Sequence, residues 1–393
     1  MQDLTRPVED HPPYLVGYTE YRADLPGGMH PYLTSQRACL VRSDGSGRRQ
    51  LAEELTREPN TWTSFAGWSP DGRLAIIASG WENPENAAWE EKHQTFRMTE
   101  GWRHDQCLLD LATGALANVT AVERVSDYNA GLFFWLKDSK RLGFEALIGG
   151  ISTPFSMSLD GTNKRDLSSG DREFTYGLNA SPDGSRIAYH KSYQVYIADA
   201  DGSQAERVDT GQPFNFCPRW SPDGQWLLFL SGEHYDCHAC LVRPDGSGLR
   251  KLADRHGYRG VVELLDIPAF HSASSDIPVW APDGRWVYYA AKCGESVELM
   301  RVGLDGTVQR LTRSERGALN YHPAPSPDGM WVLFGSNRAG TRRLYALRAD
   351  GVGCYPLTNV PAGYGAAHGH WQPIAADAWT VRPLSSQDNP TRG

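Results

Sequence analysis

Trp68-Ser69-Pro70-Asp71-Gly72 is the first of five closely related segments, and the others begin at residues 180, 220, 280 and 325. Weaker copies begin at residues 135 and 371, so seven copies follow one another about 50 residues apart. Each clear copy is followed by an apolar or aromatic run, such as Trp226-Leu227-Leu228-Phe229-Leu230, which is typical of a β-strand. A repeat of this period indicates a propeller or a solenoid.

A second turn signal lies between successive copies. It is an Asp-Gly pair, which is a strong hairpin signal because both residues tolerate a positive φ. The pairs are Asp44-Gly45, Asp160-Gly161, Asp201-Gly202, Asp245-Gly246, Asp305-Gly306 and Asp350-Gly351, with Thr113-Gly114 as a weaker member. Each unit therefore contains four strands, A to D, and the whole chain is predicted to be an all-β, seven-bladed β-propeller with four antiparallel strands per blade.

The two ends of the chain complement each other. No complete blade follows Trp371, whereas residues 14–20 resemble a strand B that has no strand A before it. We therefore expect the N-terminal strands to pair with a C-terminal strand in one composite blade. The prediction is a single propeller domain over residues 1–393, with an N-terminal arm at 1–13 and a C-terminal tail at 383–393. Its channel-lining strands should begin near residues 64, 131, 176, 216, 276, 321 and 367.

Composition narrows the class of function. The formal net charge of −8 argues against a protein that binds nucleic acid by neutralising phosphates. No run is apolar and long enough to span a membrane, and the first residues lack the pattern of a signal peptide. Seven scattered cysteines suit free thiols in a reducing compartment. The expected location is cytoplasmic, or periplasmic if a leader has been removed.

Chemistry is expected on one face of the propeller. The A–B and C–D turns lie on one face and consist of turn residues, whereas the irregular B–C and D–A connections lie on the other and hold most of the histidines. We call the second face the loop face. Polar and aromatic residues that converge there at the channel mouth are the default binding-site hypothesis.

Four histidines lie near the starts of innermost strands and could bind a divalent metal: His271, His322, His368 and His370. His322 and His368 occupy equivalent positions in adjacent blades, so register alone brings them together. Neutral imidazole suits Zn, Mn, Fe or Ni, and Ca is a further possibility; water or Gln372 could complete the coordination. Asp276 could bind the metal or orient a ligand. The alternative is that these histidines only form hydrogen bonds at strand starts.

Two histidines in B–C connections are candidate general bases. They are His234, in the fourth blade, and His190, in Tyr189-His190-Lys191 of the third. A structural role is an equal alternative for either of them. Serine-hydrolase chemistry is not indicated, because the sequence has no Gly-x-Ser-x-Gly nucleophile elbow.

The Ser-Pro-Asp-Gly blades resemble the propeller of the TolB family across nearly the whole chain. A second resemblance, to oligogalacturonate lyases, is carried by Tyr321-His322-Pro323-Ala324-Pro325-Ser326-Pro327-Asp328-Gly329 and by His234 before the hairpin at Asp245-Gly246. In that family, histidines and a glutamine of the last blades hold a metal, commonly manganese, and a histidine acts as the base. His322 matches the second histidine of the family's His-Pro-His-Pro-Ser stretch, where Asn320 replaces the first.

The resemblance implies β-elimination on a uronic-acid-containing oligosaccharide. Together with loop position and blade register, it indicates His234 as the base, with His190 as the second choice, and His271, His322, His368 and His370 as ligands of a divalent metal, with manganese suspected. Arg22 and Arg338 would pair with the substrate carboxylate, Lys292 would contact the substrate, and Tyr176, Tyr235 and Tyr321 would stack on sugar rings or donate a proton. The alternative is a non-catalytic, TolB-like propeller that binds a protein or peptide at the channel mouth.

Overall fold

The computed structural model describes residues 11–26, 29–93, 101–122, 124–125, 131–135, 140–233, 236–262, 267–268 and 276–373. These residues form seven four-stranded antiparallel sheets, and each sheet is one blade of a β-propeller. The predicted fold class is therefore confirmed. The innermost strand of every blade begins within three residues of its predicted position.

Within each blade the four strands pair side by side in the order A to D. Blade 1 contains Thr61–Trp68, Leu74–Glu82, Trp102–Asp110 and Leu116–Asn118. Blade 2 contains Phe133–Phe134, Arg141–Ile148, Ile151–Ser158 and Arg165–Asp166. Blade 3 contains Thr175–Ala180, Arg186–Lys191, Gln194–Asp199 and Glu206–Arg207. Blade 4 contains Phe214–Trp220, Leu227–Glu233, Asp236–Val242 and Arg250–Ala253.

The remaining blades follow the same plan. Blade 5 contains Val279–Trp280, Trp286–Cys293, Ser296–Gly303 and Val308–Arg310. Blade 6 contains Asn320–Pro325, Trp331–Ser336, Arg343–Arg348 and Cys354–Pro356. Blade 7 is composite, with Tyr364–Trp371 as strand A and Leu15–Arg22, Arg37–Arg42 and Arg49–Gln50 as strands B to D. The two ends of the chain therefore close the ring, as the sequence predicts.

The repeated turn is held by its own side chains. In blade 1 the Ser69 hydroxyl donates to Asp71 at 2.5 Å and accepts from the backbone N–H of Leu74 at 2.8 Å. The N–H of Gly72, which has a φ of 67°, donates to the Ser69 carbonyl at 2.8 Å. Glycine adopts this left-handed conformation without a steric cost. All of these contacts lie within six residues, which explains why a short motif is sufficient to specify the turn.

Tryptophans of the repeat connect one blade to the next. Trp68 of blade 1 donates its indole N–H to the His370 carbonyl of blade 7 at 3.0 Å. Trp371 of blade 7 donates in the same way to Ala324 of blade 6 at 2.9 Å. Each of these bonds therefore links the innermost strands of two neighbouring blades.

The apolar core lies between adjacent blades. Leu228 and Leu241 of blade 4, for example, pack against Val287 and Val302 of blade 5, and all four side chains are fully buried. Each sheet is therefore covered on both faces by its neighbours. The short outermost strands present little open edge to other chains.

Two helices interrupt the repeat pattern, which does not predict them. Helix α1 (Met29–Thr34) lies in the B–C connection of blade 7, and helix α2 (Pro84–His93) lies in that of blade 1. His30 of α1 bonds the buried carboxylate of Glu82 at 2.8 Å, so the composite blade is linked to blade 1 on the loop face. Neither helix meets the length and hydropathy required of a membrane span, nor does any other helix of the described residues.

Among the five clear copies of the repeat, the turn at Ala281 is the one that lacks the serine, and it allows a stability test. Ala281 makes the same backbone bonds as the serines, accepting from Gly284 and donating to the Trp286 carbonyl, but it has no hydroxyl to bond Asp283. The Ala281→Ser variant is expected to be about 1 kcal/mol more stable, since it would gain the bonds seen at Ser221. Urea unfolding of this variant and of Ser221→Ala, which should lose a similar amount, measures the effect; equal stability of Ala281→Ser and wild type would contradict it.

Candidate functional site

A β-bulge at the same place in several innermost strands shapes the channel mouth. In blades 3, 4 and 6 the pairing of strand A with strand B shifts register near the middle of strand A. In blade 7 the same shift lies between the strand B residues Gly17 and Thr19. The bulged residues are Gly177, Cys217, His322 and His368, with φ values of 73°, 53°, 50° and 51°. A left-handed conformation costs a residue other than glycine about 1–2 kcal/mol. Bulges of this kind re-aim a side chain, and here two of the re-aimed side chains are imidazoles.

The bulges also leave backbone N–H groups that strand pairing does not satisfy. In three cases a buried polar side chain of the preceding blade or connection accepts the hydrogen bond, which meets the requirement that buried N–H groups find a partner. The acceptors are Glu145 for Gly177 at 3.2 Å, His190 for Cys217 at 3.2 Å and Asp276 for His322 at 2.8 Å. These residues therefore hold the innermost strands of neighbouring blades in position.

His190 occupies one of these buried positions. Its side chain is 4% exposed and lies between the rings of Tyr176 and Phe216, each with a ring centroid 5.6 Å away. Burial, assisted by the positive charge of Arg219, lowers the pKa of His190 from 6.5 to about 3. An imidazole that is buried and already accepts the Cys217 N–H is badly placed to take a proton from a substrate. The geometry thus supports the structural alternative for His190.

This burial makes the stability of the fold depend on pH. Because the folded pKa of His190 lies below its unfolded value, its contribution is complete above about pH 6.5 and is lost as pH falls towards about 3. The expected loss is about 1.4 kcal/mol per pH unit for one proton. His190→Asn, which keeps an acceptor for Cys217, should therefore have a smaller pH slope than wild type between about pH 6 and 4. Urea unfolding across this range measures the slope, and His93→Asn, at an exposed residue of helix α2, is the control. Equal slopes for His190→Asn and wild type would contradict the prediction.

His322 and His368 lie together on adjacent blades. Their rings stack with centroids 5.2 Å apart and planes 21° from parallel. His322 is half-buried, whereas His368 is exposed. Asp276, which is 3% exposed and also left-handed with a φ of 58°, holds the His322 backbone from blade 5's side of the site. The pair therefore places two imidazoles side by side on the innermost strands of blades 6 and 7, where the backbone is constrained.

The buried hydroxyl of Tyr258 lies near Asp276. Burial and the nearby Asp276 carboxylate raise the pKa of the Tyr258 hydroxyl well above its usual value. The guanidinium of Arg255, a fully buried side chain, packs over the Tyr258 ring at 4.9 Å. Sequence reasoning missed Arg255 and Tyr258 because both lie in the long D–A connection after blade 4, where no turn motif marks them.

The other proposed metal ligands are not gathered around this pair. His370 lies against Phe65 of blade 1, with ring centroids 5.8 Å apart. Gln372 donates to the Gly72 carbonyl at 3.0 Å, in the A–B turn of blade 1, so it lies on the face opposite the loop face. His271 lies outside the described residues. Within the described part of the chain, no group of three or more His, Cys, Asp or Glu side chains is arranged to hold a metal ion.

Three proposed substrate contacts lie at or near the surface of the loop face. Arg22, at the end of strand B of blade 7, pairs with Asp24 at 2.8 Å, and 39% of its side chain is exposed. Lys292, near the end of strand B of blade 5, is exposed. Tyr176 is half-buried against Phe174, with ring centroids 4.4 Å apart.

The other two proposed substrate contacts, Arg338 and Tyr321, bond and pack against neighbouring side chains of the protein. The guanidinium of Arg338 bonds Asn320 and the Ser336 hydroxyl and packs over the Tyr345 ring. Tyr321 is fully buried, and its hydroxyl accepts a bond from Arg342 at 2.8 Å. The proposed stacking of Tyr321 on a sugar ring is therefore incompatible with its position.

His234 and Tyr235, the candidate base and its neighbour, lie outside the described residues. The described strands on either side are strand B of blade 4, which ends at Glu233, and strand C, which begins at Asp236. Their assigned roles remain predictions.

The chain is similar to known proteins in sequence over part of its length and in fold over most of it. No family model matches the chain. An uncharacterized protein of Agrobacterium fabrum is 26% identical over 200 residues, which cover 50% of this chain and 60% of the relative, so the match spans less than two thirds of that protein. An oligogalacturonate lyase in complex with manganese is 13% identical, with a TM-score of 0.56, over 83% of this chain and 84% of that one.

TolB from Acinetobacter baumannii is 15% identical, with a TM-score of 0.51, over 92% of this chain and 67% of that one. Sequence identities this low show a common fold and no more. The chain is a seven-bladed β-propeller with both TolB-like and oligogalacturonate lyase structural neighbours.

Proposed function

We propose that this protein is a polysaccharide lyase-like enzyme that cleaves a uronic-acid-containing oligosaccharide by β-elimination. The observation that carries the proposal is the stacked pair of His322 and His368 on the innermost strands of blades 6 and 7, both in left-handed backbone conformations. Strained residues of this kind cluster at functional sites, where the surrounding structure holds them in place. The likeness to oligogalacturonate lyase supports the same reaction class.

The reaction requires two things of the site. A proton α to a carboxylate is weakly acidic, so the negative charge that develops must be stabilised while a base removes the proton. The base abstracts that proton, and the electron pair forms the 4,5 double bond as the glycosidic oxygen leaves with a proton. Arg22, with an exposed guanidinium on the loop face, is the proposed carboxylate partner. His234 remains the proposed base, on the basis of its resemblance.

A divalent cation such as manganese is part of the resemblance, and the described residues alone do not complete a site for it. His370 lies towards blade 1, and one oxygen of Asp276 already accepts the His322 N–H. We therefore derive no catalytic step through a metal, and we make metal dependence one arm of the experiment.

The test is an assay for the unsaturated product. Purified protein is incubated with oligogalacturonates, with and without added manganese, and the ultraviolet absorbance of the conjugated double bond is followed. The proposal predicts that absorbance rises on at least one uronate oligomer and that mass spectrometry finds the matching unsaturated end. Absence of product on all uronate oligomers, with manganese present, would reject the reaction.

The second candidate is a non-catalytic propeller that binds a protein or peptide at the channel mouth. It is supported by the likeness to TolB, which covers more of this chain than the lyase likeness does. This candidate predicts no unsaturated product. It further predicts that His322→Asn and His368→Asn impair capture of the partner, because the same imidazoles would form the contact surface.

A further inference from the structure

A second group of side chains on the loop face is not used by the histidine site. We call it the aromatic shelf, and it consists of Phe174, Tyr176, Tyr193, Phe214 and Phe216 of blades 3 and 4. The rings of Tyr193 and Phe214 lie edge to face with centroids 5.3 Å apart, and Tyr193 meets Phe216 in the same way at 5.6 Å. Phe174 and Tyr176 are in contact at 4.4 Å.

The shelf begins at the channel mouth. Tyr176 and Phe216 lie in innermost strands, and Phe174 and Phe214 precede or begin those strands on the loop-face side. Tyr193 extends the group outward from the B–C hairpin of blade 3, where 45% of it is exposed. The shelf lies in blades 3 and 4 and the histidine pair in blades 6 and 7, with blade 5 between them.

The backbone of Tyr193 is held in an unfavourable conformation. Ser192 and Tyr193 form the two-residue turn between the paired residues Lys191 and Gln194, with φ values of 46° and 63°. A turn with two positive φ values normally contains Asn-Gly, and a bulky aromatic residue there is an outlier. The Tyr193 carbonyl accepts bonds from the N–H and the side-chain amide of Asn215 at 3.0 and 2.9 Å. The fold therefore holds an exposed aromatic ring at a position where glycine would give a more stable turn.

We propose that the aromatic shelf is a subsite that binds one pyranose ring of the oligosaccharide at a distance from the reacting bond, with Tyr193 as its outer platform. This proposal rests on the proposed function. The C–H groups on one face of a pyranose form an apolar surface that packs against the electron-rich face of an aromatic ring. The exposed ring of Tyr193 supplies this surface, and the other rings of the shelf are half-buried or, for Phe216, buried behind it. The strand edge here is not open, since the Tyr193 carbonyl and the Asn215 N–H already bond each other. This favours a sugar over a peptide that binds by strand addition.

The test measures binding of tetragalacturonate and digalacturonate by calorimetry. Tyr193→Ala should weaken the affinity for the tetramer about three- to tenfold, as expected for the loss of one stacking contact, with little change for the dimer. Tyr193→Phe should restore wild-type affinity. Val352→Ala, at an exposed apolar residue in the C–D turn of blade 6, is the control and should change nothing. Equal tetramer affinities for Tyr193→Ala and wild type would overturn the subsite.

A second variant separates binding from folding. Tyr193→Gly removes the ring and suits the left-handed turn, so its melting temperature should equal or exceed that of wild type while the tetramer affinity falls as in the alanine variant. Retained affinity in Tyr193→Gly would also overturn the subsite. If the tetramer binds through Tyr193 but no unsaturated product forms, the proposed reaction fails and the subsite stands. If product forms but the tetramer affinity does not depend on Tyr193, the proposed reaction stands and the subsite fails. If the tetramer neither binds nor reacts, both proposals are rejected.

Discussion

His368→Asn and His322→Asn are each expected to slow formation of the unsaturated product by about 10²–10⁴-fold, the range typical for loss of a group that handles protons or charge in the transition state. Both residues are left-handed, with φ values of 51° and 50°. Asparagine tolerates that conformation better than most residues, so the substitution removes the imidazole without disturbing the bulge.

The measurement is kcat/KM on a uronate oligomer that wild type cleaves, together with the metal content of protein purified without a nickel column. His93→Asn, an exposed histidine of helix α2, is the matched control and should retain wild-type activity. Melting temperatures of the two site variants should stay close to that of wild type. Full activity in both site variants would show that the stacked pair takes no part in the reaction.

Replacement of Glu298 by alanine is expected to lower the free energy of unfolding by about 3–5 kcal/mol. Glu298 is fully buried in strand C of blade 5. Its carboxylate accepts hydrogen bonds from the hydroxyls of Ser296 at 2.7 Å and Thr312 at 2.5 Å, from the Ser314 N–H at 2.8 Å, and from Arg310 at 3.0 Å. Burial alone would raise the pKa of Glu298, but these bonds outweigh it and lower the pKa.

The same carboxylate connects two blades, since the Asn320 side chain at the start of blade 6 donates to it at 3.2 Å. Alanine would leave these donors buried without their acceptor, and the cost of unmet donors exceeds the gain from any single bond. Guanidinium unfolding measures the change. Glu295→Ala is the control, because Glu295 and its partner Arg316 are both largely exposed and such pairs contribute little. A loss for Glu298→Ala below about 1 kcal/mol would show that water replaces the network.

Local sequence is sufficient for the turns and for the number of blades. Ser69, Asp71 and Gly72 make their contacts within six residues, so each copy of the motif specifies a hairpin wherever it occurs. Seven copies then determine seven blades, and the incomplete units at the two ends determine how the ring closes. Blade register also predicts that His322 and His368 lie on adjacent blades, and the structure brings them within stacking distance.

Other features depend on contacts between distant parts of the chain. A β-bulge changes which face the following side chains occupy, so strand alternation could not reveal that His370 lies against Phe65. The sequence around His190 is consistent with an exposed general base. In the folded protein, however, His190 is buried and accepts a hydrogen bond from the Cys217 N–H of the next blade. Arg255 and Tyr258 join the site from a connection without a motif. Turn chemistry is encoded locally, whereas burial and hydrogen-bond partners at the channel mouth arise only when neighbouring blades pack together.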